Sequence, residues 1–163
     1  MRTFFMLLYV TVVLLFHPTG AAAWSGSVIS IVDGDTITVA PAGDTSSPLK
    51  IRLYGIDAPE HDQSYGLQST QKLASLLPKD SSVEVISLGQ DRYGRIVALI
   101  AKDNHIINGD MVSSGAAWVF AKYCKADVCK SWYKLQQQAS DKRLGLWEED
   151  SPIAPWQWRK NRQ

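Results

Sequence analysis

Three short segments carry residue types suited to phosphate chemistry: Asp33-Gly34-Asp35-Thr36, the run from Arg52 to Glu60 (Arg-Leu-Tyr-Gly-Ile-Asp-Ala-Pro-Glu), and Asp91-Arg92-Tyr93-Gly94-Arg95. Carboxylate oxygens suit a hard cation, and guanidinium groups match the charge and planar geometry of phosphate oxygens. Each segment sits at the edge of an apolar run, so a fold that gathered those edges would bring three carboxylates and two arginines together. That set reads as a site for metal-assisted cleavage of a phosphodiester. His61 and His105 are read as polar loop and turn residues, and the chemistry requires neither.

The elements that must position these residues are short. Ser27 to Val32 and Thr36 to Val39 are β-prone stretches separated by Asp-Gly-Asp, and Leu49 to Ile56 follows a turn-rich stretch, which predicts a three-stranded antiparallel meander. From Ser64 to Leu77 the period changes, with Leu67, Leu73, Leu76 and Leu77 along one helical face before Pro78. Strands are predicted again at Ser82–Leu88 and Ile96–Ala101, with helices at Asn108–Ser114 and Cys129–Leu144, the last stopped by Gly145. Five strands with interspersed helices imply a small barrel covered by helices. No internal repeat is evident, and Ser151 to Gln163 is read as a tail packed by its tryptophans.

The N-terminus reads as a processing signal. Arg2 is followed by an almost uninterrupted apolar run from Phe4 to Phe16, and small residues Gly20 to Ala23 precede Trp24. The run is shorter than the roughly 20 residues that span a bilayer, so residues 1–23 are expected to be a signal peptide, residues 24–150 one domain, and residues 151–163 an extension. The expected compartment is secreted or periplasmic. The chain has 17 basic and 16 acidic side chains, so losing Arg2 balances the charge. Affinity for nucleic acid then requires a local patch, and the basic tail from Trp156 to Arg162 reads either as that patch or as a solvated terminus. Cys124 and Cys129, an even pair in an exported chain, are expected to form a disulfide. A zinc pair is the rival, without histidines at ordinary ligand spacing.

In order as well as composition, Asp-Gly-Asp-Thr, Arg-x4-Asp-x-Pro-Glu and Asp-x-Tyr-Gly-Arg resemble the staphylococcal nuclease, or thermonuclease, family over roughly Ser25 to Trp147. The resemblance implies a five-stranded OB-type barrel and a calcium-dependent nuclease acting on DNA and RNA. It implies Ca2+ on Asp35, Asp57 and the backbone carbonyl of Ala58, a position that often carries threonine. It assigns Arg52 and Arg95 to the scissile phosphate, with structural ion pairs to Asp33 or Asp91 as the competing role. Glu60 would orient or deprotonate the attacking water, the 5′-oxygen would leave, and products would end in 3′-phosphates. Tyr93 and Tyr123 are the candidates for nucleotide contact, whereas Trp118 and Phe120 serve equally well as core. A monomer is expected. A non-catalytic OB-type module binding nucleic acid or protein is the competing class. A surface interaction protein built on the cysteines, Trp156 and Trp158 would leave the ordered polar motifs unexplained.

Overall fold

A computed structural model describes residues 22–43 and 47–162. The expected signal peptide lies outside the described residues except for Ala22 and Ala23, which open the first strand opposite Ser87 and Ile86. Alternating apolar residues make β1 (Ala22–Asp33) and β2 (Thr36–Pro41), which pair antiparallel with Ile31 opposite Ile37 and Asp33 opposite Thr36. The third strand, β3 (Leu49–Leu53), pairs antiparallel with β2. It ends earlier than its apolar run predicts, because Tyr54-Gly55 turns the chain. Gly55 has φ +72°, and a Cβ there would lie 2.6 Å from Cys124 Sγ, so both backbone conformation and space demand glycine. Beyond the turn, Ile56–Asp57 forms a separate short strand, β4.

Helix α1 (Gly66–Leu76) follows, tucked so close to the loop before it that a Cβ on Gly66 would lie 1.9 Å from Glu60 O. Then β5 (Ser82–Gln90) and β6 (Ile96–Lys102) pair antiparallel, and β5 also pairs with β1. The parallel contact of β3 with β6, Arg52 opposite Val97, closes a five-stranded mixed barrel of OB type. Val28, Ile37, Val39, Ile51, Leu53, Val85, Ala98 and Ile100 fill its interior and are fully buried, the result expected of period-two alternation on a closed sheet.

A short β7 (His105–Ile106) leads into α2 (Ile107–Ser113), and β8 (Trp118–Val119) pairs with β4 to hold Asp57 opposite Trp118. Helix α3 (Val128–Asp141) ends earlier than Leu144, because Arg143 and Gly145 adopt positive φ. Trp132 is the largest side chain that α3 buries. The segment read as a tail packed by its tryptophans contains one further helix, α4 (Pro155–Lys160), opened by a proline in its first turn. Its seat is aromatic: Trp156 stacks on Phe120 at 5.1 Å between ring centroids and meets Trp118 edge-on at 5.8 Å. Gln63 adds a tie by donating from Nε2 to Ile153 O at 2.6 Å. Among the described residues, no helix is long and apolar enough to cross a membrane.

Candidate active site

The site begins in the tight connection from β1 to β2. Asp33 Oδ1 accepts the Asp35 N–H at 2.9 Å, fixing the turn, and a Cβ on Gly34 would lie 2.1 Å from Ser69 Oγ of α1. The turn therefore lies flat against α1, and Asp35 is buried. Its carboxylate accepts the Thr36 hydroxyl at 3.1 Å on Oδ1 and the Ala58 N–H at 2.8 Å on Oδ2. Ala58 is itself buried, its Cβ 2.6 Å from the place a Gly34 Cβ would occupy, so the methyl fills a close-packed spot beside that turn.

Arg52 leaves β3 toward the same point. Its Nη2 lies 2.9 Å from Asp35 Oδ2 and 2.9 Å from Asp57 Oδ1, and Nη1 donates to Leu53 O at 2.8 Å. Burial pushes the Asp35 carboxyl up to about 7 against the pull of Arg52, with the charges of Asp33 and Asp57 adding to the rise. Burial also raises Asp57, opposed by the hydrogen bond from Arg159 and the charge of Arg52. The centre of the site thus holds two carboxylates in a low-dielectric setting, focused on one positive nitrogen.

Glu60 sits at the rim. Its N–H donates to Gln63 Oε1 at 3.1 Å and its carbonyl accepts the Gln63 N–H at 2.9 Å, which locks the loop backbone. Its carboxylate meets a residue that the sequence reading did not single out: Arg159 of α4 donates from Nη1 to Glu60 Oε1 and from Nη2 to Asp57 Oδ2 at 2.7 Å. Partial burial works against the Arg159 charge, but the bonds to Asp57 and Glu60 outweigh it and hold the guanidinium protonated. The only signal in the sequence was the basic, tryptophan-rich character of the tail, without any indication of which arginine turns inward.

Arg95 stands apart from this cluster. Its Nε pairs with Asp91 Oδ2 at 2.7 Å, while Nη1 lies 3.5 Å from Thr36 Oγ1, the hydroxyl that also touches Asp35. The structural ion pair with Asp91 is therefore present, yet the guanidinium tip points along the rim toward the carboxylates. Tyr93 is 69% exposed beneath Arg92 and Arg95, whose guanidinium carbons lie 4.8 and 5.7 Å from its ring centroid. Tyr123, also exposed, packs edge-on against Phe120 at 4.9 Å, at the end of an aromatic row that continues to Trp156, Trp118 and Trp147. His61 is exposed. His105 is exposed as well, with Nδ1 3.6 Å from Asp110.

Cys124 and Cys129 form a disulfide with their Cα atoms 5.7 Å apart, so the zinc alternative falls away. The bridge buttresses the site at one remove: Cys124 packs on Gly55, and the Tyr54 hydroxyl accepts the N–H groups of Lys125 and Ala126 at 2.8 and 3.0 Å. The turn that aims Asp57 is thereby tied to the disulfide loop.

Among the described residues, no group of three or more His, Cys, Asp and Glu side chains is disposed to hold a metal ion. The carboxylates facing Arg52 Nη2 number two, so a cation there would draw further oxygens from backbone, water or substrate.

The fold is an OB-type barrel that gathers arginines and carboxylates at one end. The chain belongs to the staphylococcal nuclease family: the family model described as staphylococcal nuclease homologue matches residues 50–149. It is 39% identical over 154 residues to a protein of Escherichia coli described as an uncharacterized endonuclease, a match spanning 93% of this chain and 96% of that one. A Haemophilus influenzae protein of the same description is 37% identical, over 82% of this chain and 71% of its own length. A protein of Shigella flexneri described as micrococcal nuclease is 34% identical, over 91% and 88% respectively.

Proposed function

We propose that the protein is a calcium-dependent endonuclease that hydrolyses internal phosphodiester bonds of DNA and RNA with little sequence preference. The observation that carries this reading is the position of Arg52 Nη2, 2.9 Å from a buried oxygen of each of Asp35 and Asp57. Two carboxylates aimed at one positive centre are a donor set for a hard cation, and burial raises both toward neutrality, a cost that added positive charge relieves. Asp35, Asp57 and the Ala58 carbonyl would hold the ion. When bound, calcium supplies charge stabilisation to the phosphoryl oxygens.

The remaining work falls to the chain's own side chains. Arg52 and Arg95 donate paired hydrogen bonds to the phosphate as negative charge accumulates in the transition state. Glu60 orients the attacking water and accepts its proton, and in-line displacement expels the 5′-oxygen to leave a 3′-phosphate. Tyr93 and Tyr123 offer exposed aromatic faces on which bases of any identity stack. Contacts to the phosphate backbone carry little sequence information, which supports breadth of substrate. The apolar N-terminal run and the disulfide together support export to the periplasm or medium, and the protein is read as acting as a monomer.

A panel of labelled single-stranded DNA, single-stranded RNA and duplex DNA, incubated with calcium, tests the reading. Cleavage of both single strands, and of duplex where it opens, is expected. Binding to all three without product over long incubation would favour a non-catalytic OB-type module instead.

A further inference from the structure

We propose that Arg159 is a positioning residue of this site, a third arginine that holds the Glu60 carboxylate beside Asp57. The proposal rests on the reading of Glu60 as the group that handles the attacking water. The two oxygens of Asp57 have different nearest guanidinium groups, Oδ1 Arg52 at 2.9 Å and Oδ2 Arg159 at 2.7 Å, with a longer 3.4 Å contact from Arg159 Nη1 to Oδ1. The other arm of the Arg159 fork takes Glu60 Oε1, so one rigid planar group spans both acids.

The Glu60 arm of the fork is half-exposed and adds little to stability, the buried Asp57 carboxylate keeps Arg52 as a partner when Arg159 is removed, and α4 has other anchors in Trp156 on Phe120 and in Gln63 on Ile153 O. The consequences of the fork are therefore local, and there are two of opposite sign. Holding one oxygen of Glu60 leaves the second free for water while stopping the carboxylate from wandering on its half-exposed loop. At the same time a positive charge 2.7 Å from Asp57 competes with any cation offered to that carboxylate. Removing Arg159 should make the site bind calcium more tightly and cut more slowly, a pair of changes that a loosened fold does not produce.

The test uses the full chain and two readouts: calorimetric titration with calcium alone, and single-turnover cleavage of a labelled single-stranded oligonucleotide at saturating calcium. Arg159→Ala should bind calcium ~3- to 10-fold more tightly, since a neighbouring charge is lost, and cleave ~10- to 100-fold more slowly, since the water-handling group is no longer held. Arg159→Lys should return calcium affinity toward wild type but recover only part of the rate, because an ammonium cannot fork across two acids. Arg162→Ala, which removes the neighbouring pair with Asp62, should leave both values near wild type. An unchanged rate in Arg159→Ala, or calcium affinity and rate lost together, would overturn the proposal. Failure of the underlying nuclease reading looks different, because then wild-type protein itself cuts nothing.

Discussion

Asp35, Asp57 and Arg52 sit on strands and their turns with side chains 9%, 2% and 14% exposed, whereas Glu60, Arg95 and Arg159 sit on loops or the last helix at 38%, 29% and 42%. The first group is carried by the barrel and surrounded by backbone hydrogen bonds. The second is hung around its rim and held mainly by side-chain partners. Charge buried in the first group is costly unless it is paired, so each member depends on the others and none can move alone. Charge at the rim is cheap to reorient, which suits groups that must follow a phosphate and a water. On the proposed reading the barrel end sets the charge of the site and presents Arg52 to the phosphate, and the rim adds the second arginine and the carboxylate that handles water.

The largest expected effect tests the rim. Glu60→Gln keeps size and shape but cannot readily take a proton, and single-turnover cleavage should fall ~10²- to 10⁴-fold with calcium affinity nearly unchanged. A rate within a few-fold of wild type would move the proton acceptor elsewhere. The two arginines should then separate by location. Arg52→Lys, which breaks the bridge over Asp35 and Asp57 as well as the phosphate fork, should cost ~10²- to 10³-fold in rate and also lower the melting temperature. Arg95→Lys should slow cleavage less and leave melting almost unchanged. Equal effects on melting would erase the distinction between buried and exposed halves.

A smaller effect concerns the buried half in the absence of metal. The folded-state value of Asp35 is raised from 3.8 to about 7, so its favourable contribution is full below the unfolded value and is lost as pH rises through about 7. Asp57 is raised in the same direction. Melting of chelator-treated protein should therefore fall between pH 5 and pH 8. Asp35→Asn should flatten that decline and be relatively more stable at the alkaline end. A melting temperature that rises with pH, or a slope unaffected by the substitution, would contradict the assignment of burial as the dominant cause.

Which parts of this were legible in the sequence follows from the range of the interactions involved. The β1–β2 hairpin, the positions of β5 and β6 and the three polar motifs are local patterns of alternation and turn chemistry, and they were readable. Cys124 and Cys129, five residues apart, paired as their number suggested. The early end of β3 was hidden because Gly55 answers to the sulfur of Cys124, a neighbour only after folding. Arg159 was hidden more deeply, since its partners Glu60 and Asp57 lie 99 and 102 residues away and α4 is six residues long with no periodicity to announce it. Asp91 beside Arg95 shows the reverse case: the local ion pair is present, and the same guanidinium lies 3.5 Å from the Thr36 hydroxyl.

The smallest effect on rate should come from the disulfide, which touches the site only through Gly55 and Tyr54. Replacing both Cys124 and Cys129 with Ser should cost ~1 to 3 kcal/mol of stability because the closed loop is short, measurable by denaturant titration, with cleavage changed only a few-fold. A rate loss as large as that of Glu60→Gln would mean that the turn carrying Asp57 needs the bridge to hold its aim.

The most direct test of the central claim is to follow one labelled oligonucleotide, as DNA and as RNA, with calcium and with excess chelator, and to read the product ends by mass spectrometry. The account predicts internal cleavage of both that stops in chelator and leaves 3′-phosphate and 5′-hydroxyl ends. Cleavage indifferent to chelator, or products carrying 5′-phosphates, would contradict it.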